Sequence, residues 1–247
     1  PPTDEPAALP DTGRAPAAVA SLPGFDLFSD MRMALELARN PQASWYAEMR
    51  STAEQMPRGS EDFAPPPTDG AEFAEAVMSR PVTTFAGQGK SPINDLILQG
   101  EAALDDGRYF DAAARFDAAT RLDPSNPLPL IGQAHALLAG GEYNAAATLL
   151  VRGLERFPEL ARFPLDLSAL LGGGEIVDIR RADLKRRLEG AEDARLRFLL
   201  GYLEYHGGNR AAGLANLRQA AEAAERGSAI ARYADLLGAP PAAPPQP

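Results

Sequence analysis

Apolar residues recur at helical spacing along most of the chain. The first such stretch follows Asp26, a candidate N-cap, and ends at the break formed by Asn40 and Pro41. The same spacing predicts helices over about 27–38, 42–56 and 69–79, in pairs across the following region, and over 228–237. No patterned segment alternates with period two, and the stretch 82–92 is predicted to be irregular or briefly extended. The pattern therefore predicts an all-α fold without a sheet.

The hydrophobic pattern of residues 96–124 is repeated in residues 130–158. The two stretches are offset by 34 residues and share ten identities over 29 compared positions. The identities include the pairs Gly107/Gly141 and Tyr109/Tyr143. A fixed period of this length is typical of stacked helical hairpins, because a single unit cannot bury its apolar face alone.

The repeated positions resemble the tetratricopeptide repeat. The pattern of that family is matched by Leu96, Gly100, Ala112, Phe116 and Pro124, and again by Leu130, Ala134, Ala146, Leu150 and Pro158. Gln99 and Gln133 stand where the family usually has leucine. The resemblance implies an α-solenoid of tetratricopeptide-like helical hairpins. Gly107 and Gly141 would end the first helix of each pair in a left-handed conformation that suits glycine.

The repeat register returns further along the chain. Gly201 and Gly208 lie 67 residues beyond Ala134 and Gly141, which is one residue short of two periods. About four units are therefore predicted, and the third, over 160–193, is degenerate. It should hold a short helix near 165–171, a run of three glycines and a longer helix to about residue 189. The glycine run lacks the ending of a phosphate-binding loop, so a loose turn or hinge is favoured over nucleotide binding.

The chain divides into four predicted parts. Residues 1–20 and 239–247 are rich in proline and alanine and are expected to be a disordered arm and tail. Residues 21–90 form an N-terminal helical segment, with a linker over 56–70 and a helical hairpin before it. Residues 91–238 form the repeat array with a C-terminal capping helix. We expect the N-terminal segment to dock on the first unit near Leu96 and Tyr109, because an open array needs a cover at its end.

Composition narrows the class of function. The net charge of −10 argues against general nucleic-acid binding. No apolar run approaches the roughly 18–20 residues of a membrane helix, so no membrane insertion is expected. The sequence contains no cysteine, which excludes thiolate and disulfide chemistry within it. The compartment, cytoplasmic or extracytoplasmic (periplasmic or envelope), and the oligomeric state stay open. The start at Pro1 fits either a processed leader or a trimmed chain.

Side chains that carry catalysis or bind metals are scarce. The two histidines, His135 and His206, do not have the spacing of metal ligands. Carboxylate pairs such as Asp105-Asp106 fall in predicted turns, where solvated surface is the favoured interpretation. We therefore predict a non-enzyme without cofactor or metal. The basic cluster is expected to be a solvated face with local ion pairs, or else a site for an acidic partner: Arg180, Arg181, Lys185, Arg186 and Arg187.

The family resemblance implies where a partner would bind. In this family the first helix of each unit lines an inner groove that takes an extended peptide or a partner helix. On this chain that face would carry Asn94, Ile97, Glu101, Ile131, His135, Leu138, Arg195, Phe198, Tyr202, Tyr205 and His206. Glu101 would repel a terminal carboxylate, so docking in the manner of chaperone-binding members is not expected.

The favoured function is a protein–protein interaction scaffold or adaptor that binds a protein or peptide segment in this groove. The alternative is a structural subunit of a larger assembly, for example an envelope-associated one, that uses its outer faces and proline-rich ends. A small-molecule-binding protein or an enzyme is the third hypothesis. The sequence does not identify the partner.

Overall fold

The computed structural model describes residues 26–55, 67–87, 90–190 and 192–238. Within these ranges the chain is helical and forms no strand, and Val82 and Leu165 make an isolated β-bridge. The helices are α1 Leu27–Arg39, α2 Ser44–Gln55, α3 Gly70–Ser79, α4 Pro92–Asp105, α5 Tyr109–Leu122, α6 Leu128–Ala139, α7 Tyr143–Arg156, a 3₁₀ helix Pro158–Arg162, α8 Leu167–Leu170, α9 Gly174–Gly190, α10 Ala194–His206, α11 Arg210–Ala223 and α12 Ala229–Gly238. The all-α prediction is confirmed. The predicted arm 1–20, most of the linker 56–70 and the tail 239–247 lie outside the described residues.

The N-terminal helices begin at carboxylate caps. The backbone N–H of Ser29 donates to the Asp26 carboxylate at 2.7 Å, and that of Ala71 donates to the Asp69 carboxylate at 2.9 Å. Each bond satisfies one of the N–H groups that a helix start leaves without a partner. Asn40 follows the last residue of α1, as the sequence predicted.

The first two helices do not form the predicted hairpin. α1 packs mainly against α3, and α2 contributes Tyr46 to the small core between them. Two contacts explain this arrangement. Tyr46 donates its hydroxyl hydrogen to the carbonyl of Pro67 at 2.8 Å. Gly70 lies so close to the α1–α2 turn that a Cβ there would be 2.6 Å from the Pro41 carbonyl oxygen.

The array is built from helical hairpins, α4–α5, α6–α7 and α10–α11. Gly107, Gly141 and Gly208 follow the first helix of each hairpin with φ of 72°, 84° and 94°. These left-handed values confirm the predicted turns. Successive hairpins approach closely through small residues. A Cβ on Gly132 of α6 would lie 2.6 Å from the Phe116 ring of α5, so the ring of one unit fills the space left by the glycine of the next.

The third unit has the predicted irregular form, a short helix α8, the glycine run and the long helix α9. Gly172 has a φ of 77°, and a Cβ there would lie 2.5 Å from the carbonyl oxygen of Leu104. Gly172 is thus required by its approach to the end of α4. Arg180 donates to the carbonyl of Ala139 at 2.9 Å and ties α9 to α6. The remaining members of the basic cluster pair mostly with neighbouring carboxylates, as in Arg181–Asp178, Arg186–Asp183 and Lys185–Glu204.

The N-terminal segment packs on the array, and it contacts the second unit as well as the predicted first unit. The rings of Phe28 and Phe157 meet edge-on with centroids 5.1 Å apart, and Asn126 donates to Asp26 at 3.5 Å. Phe157 follows α7 and Asn126 precedes α6, so both contacts are with the second unit. In the first unit, residues 84–87 of the same segment bind Glu101 and Asn94 of α4, while Leu98 and Phe110 are 52% and 64% exposed. Whether residue 90 marks a domain boundary stays a prediction.

Candidate partner-binding site

The first helices of the hairpins carry all eleven predicted site residues, on α4, α6 and α10. We call this set of side chains the inner face. The structure corrects the expectation that it is an open groove. Glu101, Tyr205 and His206 are partly buried and Arg195 is exposed. The other members are buried: Asn94, Ile97, Ile131, His135, Leu138, Phe198 and Tyr202.

Residues 82–87 of the same chain lie over part of the inner face, and we call them the inner segment. Its first residue is held by the loop before α8. The N–H of Val82 donates to the carbonyl of Pro164 at 2.8 Å, and the N–H of Asp166 donates to the carbonyl of Val82 at 3.0 Å. These two bonds form one step of a parallel β-ladder. The inner segment is therefore extended where it enters the array.

Glu101 of α4 holds the middle of the inner segment. Its carboxylate accepts the hydroxyl hydrogen of Thr84 and the backbone N–H of Phe85, each at 2.7 Å. The Phe85 ring is 2% exposed and stacks on the imidazole of His135, with centroids 5.5 Å apart. One glutamate thus binds both a side chain and a backbone group, and it places the aromatic ring against α6.

The side chain of Asn94 binds the backbone of Gly87, the last residue of the inner segment. The Gly87 N–H donates to the Asn94 carbonyl oxygen at 2.8 Å, and the Asn94 amide donates back to the Gly87 carbonyl at 2.6 Å. A Cβ on Gly87 would lie 2.8 Å from the Cα of Asp26. The space beside this residue is therefore closed by the start of α1.

Comparison with known proteins agrees with the repeat found in the sequence and the fold. Residues 103–163 match the model of the tetratricopeptide repeat family. This part of the chain is built of tetratricopeptide repeats. No curated protein and no solved structure matches the chain. The fold class and the resemblance to the tetratricopeptide repeat are thus shown, and protein–protein interaction is the role typical of such repeats.

Burial and hydrogen bonding act in opposite directions on the Glu101 carboxyl. Burial raises its pKa, while the bonds from Thr84 and Phe85 favour the charged form and lower the pKa. A carboxylate inside a mostly apolar repeat core is unfavourable unless its oxygens accept hydrogen bonds. The inner segment supplies these donors, so the charged form of Glu101 and the position of the inner segment depend on each other.

Two histidine–tyrosine pairs, the first buried and the second partly buried, continue the inner face toward the C-terminus. His135 Nε2 lies 2.8 Å from the Tyr202 hydroxyl, and His206 Nε2 lies 2.7 Å from the Tyr233 hydroxyl. Burial lowers the pKa of each histidine to about 3, so both are neutral near pH 7. His135 Nδ1 is buried without a hydrogen-bond partner. These pairs join α6 to α10 and α10 to α12.

Other chemistry finds little support in the described part of the chain. It contains no group of three or more side chains placed to hold a metal ion. None of its helices is long and apolar enough to cross a membrane. The sequence did not reveal that the inner segment lies over part of the inner face. The one available signal was Phe85, a large aromatic residue in a stretch without helical periodicity.

Proposed function

We propose that the chain is a protein-interaction scaffold or adaptor, and that its inner face binds an extended segment of a partner protein. The observation that supports this is the set of contacts to the inner segment. Glu101 and Asn94 both bind backbone groups of an extended stretch, and His135 packs on its aromatic side chain. Main-chain hydrogen bonds with one side-chain pocket are a common means by which proteins bind peptides.

In this proposal the inner segment occupies the site until a partner replaces it. Four of its hydrogen bonds join it to side chains of α4. Such a segment can leave without breaking a helix of the array. A covalently attached segment has an effective concentration of the order of millimolar, so a free partner must compete with it. Loosening the inner segment should therefore increase partner binding.

Capture from an extract of the source cells tests this function. Phe85→Ala removes the ring of the inner segment and leaves the inner face intact, so we expect several times more of one specific protein to be captured. Glu101→Ala removes the group that holds both segment and partner, so capture of the same protein should fall. Glu155→Ala, at an exposed position of α7, is the control and should match the wild type. Equal capture by all variants that keep their helical circular dichroism would overturn the proposal.

A role as a structural subunit is the second candidate, and exposed apolar residues favour it. Leu98, Phe110 and Leu122 of the first hairpin are all more than half exposed. Exposed large apolar residues mark a protein interface where they form a contiguous patch. Sedimentation velocity of the wild type and of Phe110→Asp tests this candidate. An assembly that dissociates in the variant would support it, and a monomeric wild type would count against self-assembly.

A further inference from the structure

Three positions of the inner segment meet different chemical requirements on the inner face. They are Thr84, Phe85 and Gly87. Each makes contacts that a different side chain would not reproduce. The inner segment therefore indicates which partner sequences would fit the same place.

The first requirement is a hydroxyl group. The Thr84 hydroxyl donates to one oxygen of Glu101, while the Phe85 N–H donates to the other. The Thr84 oxygen also accepts the N–H of Ala86 at 3.0 Å. Valine has a similar shape but no donor, so it would leave one carboxylate oxygen of a largely buried glutamate without its partner. Serine and threonine satisfy this position.

The second requirement is an aromatic ring. Phe85 is 2% exposed and lies 30° from the plane of the His135 imidazole. The Nε2 atom of the same imidazole is hydrogen-bonded to the Tyr202 hydroxyl, so the His135 ring is held in one orientation. A smaller side chain would leave a cavity against a rigid ring. This position selects a large aromatic residue.

The third requirement is glycine two positions after the ring. Asn94 binds both the N–H and the C=O of Gly87. The Cα of Gly87 lies so close to the start of α1 that a Cβ on it would be 2.8 Å from the Asp26 Cα and 3.0 Å from the Leu27 nitrogen. Both of these are backbone atoms, which cannot rotate away. Any larger residue would have to displace the start of α1.

We propose that the inner face recognises an extended partner segment with serine or threonine, then an aromatic residue, then any residue, then glycine. The segment binds by replacing residues 84–87, with its hydroxyl and one amide on Glu101 and its glycine on Asn94. This inference rests on the proposed function, because it specifies the partner of the same site. The partner segment is expected to carry no acidic residue beside the hydroxyl, because Glu101 would repel it.

The test uses a fluorescein-labelled peptide with the sequence of residues 80–87, RPVTTFAG, and measures its binding by fluorescence anisotropy. The Phe85→Ala chain, whose own segment is weakened, should bind the peptide at least about tenfold more tightly than the wild-type chain. Peptides carrying Thr84→Val, Phe85→Ala or Gly87→Ala should each bind at least about tenfold more weakly. A scrambled peptide of the same composition is the control and should not bind. Equal binding of the native and altered peptides would overturn the motif.

Hydrogen exchange on the wild-type chain gives a second readout that needs no variant. Excess native peptide should speed exchange of the Phe85 and Gly87 amides, because they leave Glu101 and Asn94, while amides of α6 stay protected. No change at a saturating peptide concentration would contradict the inference. Failure of the motif is distinguishable from failure of the proposed function. If capture of a cellular partner depends on Glu101 but the peptide does not compete, only the motif is wrong.

Discussion

His135 contacts the inner segment on one side and α10 on the other. Its imidazole stacks on Phe85 with centroids 5.5 Å apart, and its Nε2 atom lies 2.8 Å from the hydroxyl of Tyr202. His135, in the second hairpin, thus connects the inner segment to α10 of the last hairpin. The Tyr202 hydroxyl satisfies the Nε2 atom of His135, while Nδ1 has no hydrogen-bond partner among the described residues.

The His135–Tyr202 bond should be detectable as a loss of stability in Tyr202→Phe. This change keeps the ring and removes the hydroxyl, which leaves His135 with no hydrogen-bond partner. We expect the free energy of unfolding to fall by about 1–3 kcal/mol. Tyr205→Phe is a matched control, because the Tyr205 hydroxyl makes no hydrogen bond to a described residue, and it should change stability by less than about 0.5 kcal/mol. Urea denaturation measures both, and equal effects would show that the bond contributes nothing.

Acid should destabilise the fold through His135, which is buried, and His206, which is partly buried. Their pKa is about 3 in the folded chain and 6.5 in the reference state, so the unfolded chain binds the extra protons. Their contribution is complete above pH 6.5 and is lost as the pH falls toward 3. The loss approaches about 1.4 kcal/mol per pH unit for each histidine. The raised pKa of Glu101 acts in the opposite direction, because the folded chain holds that proton more tightly.

Urea denaturation between about pH 7 and pH 4 measures this dependence. The variant His206→Gln should show a flatter loss of stability than the wild type, because one of the two groups has been removed. His206 is also affected by Arg210, whose charge lowers the histidine pKa further. An unchanged slope in the folded variant would show that His206 is not held neutral.

The helices and turns were predictable because their signals are local. Asp26 caps α1, and Gly107 turns the first hairpin, through contacts with residues only a few positions away. The repeat register predicted the succession of hairpins, but the packing of the Phe116 ring on Gly132 was not predicted, because Gly132 aligns with Leu98 rather than with another glycine. Local periodicity and one repeat therefore determine most of the array.

The state of the inner face was not predictable from the same signals. Tyrosine and histidine suit an exposed binding surface and a buried hydrogen-bonded pair equally well. Tyr202 and His135 lie on the correct helices, but their burial depends on contacts between distant parts of the chain. The pairing of α1 with α3 depends likewise on Phe73 and the close approach of Gly70. Neither contact produces a periodic pattern of residues in the sequence.

The ion pair between Lys185 and Glu204 should matter more than the other charge pairs of α9. The Glu204 side chain is 2% exposed, and its oxygens accept from Lys185 at 2.7 Å and from Asn216 at 2.8 Å. Lys185→Met leaves a buried carboxylate with one donor, so we expect a loss of about 2–3 kcal/mol. Adding Glu204→Gln should restore part of it. Arg181→Met, whose partner Asp178 is 67% exposed, should cost under about 0.5 kcal/mol.

Alanine at the first hairpin turn should destabilise the array. Gly107 has a φ of 72°, a conformation that side chains with a Cβ rarely adopt. Gly107→Ala should therefore lower the free energy of unfolding by about 1 kcal/mol. Gly190, at the end of α9, has open space around it and no left-handed φ, so Gly190→Ala should be neutral or slightly stabilising. Thermal denaturation followed by circular dichroism compares the two, and a silent Gly107→Ala would place the turn elsewhere.

The N-terminal helices should unfold together with the array. Met31 and Leu35 of α1 belong to the same hydrophobic core as the repeat helices, and Phe28 packs edge-on against Phe157. Trp45, the single tryptophan, lies in α2 and donates to Glu36 of α1 at 3.2 Å, so its fluorescence follows this segment. We expect its urea transition to coincide with that of the far-ultraviolet circular dichroism, as for a cooperative unit. Phe157→Ala should shift both transitions to lower urea by the same amount, because it leaves a cavity worth about 3 kcal/mol or more. A Trp45 transition that precedes the other, or that ignores Phe157→Ala, would show that the segment folds independently.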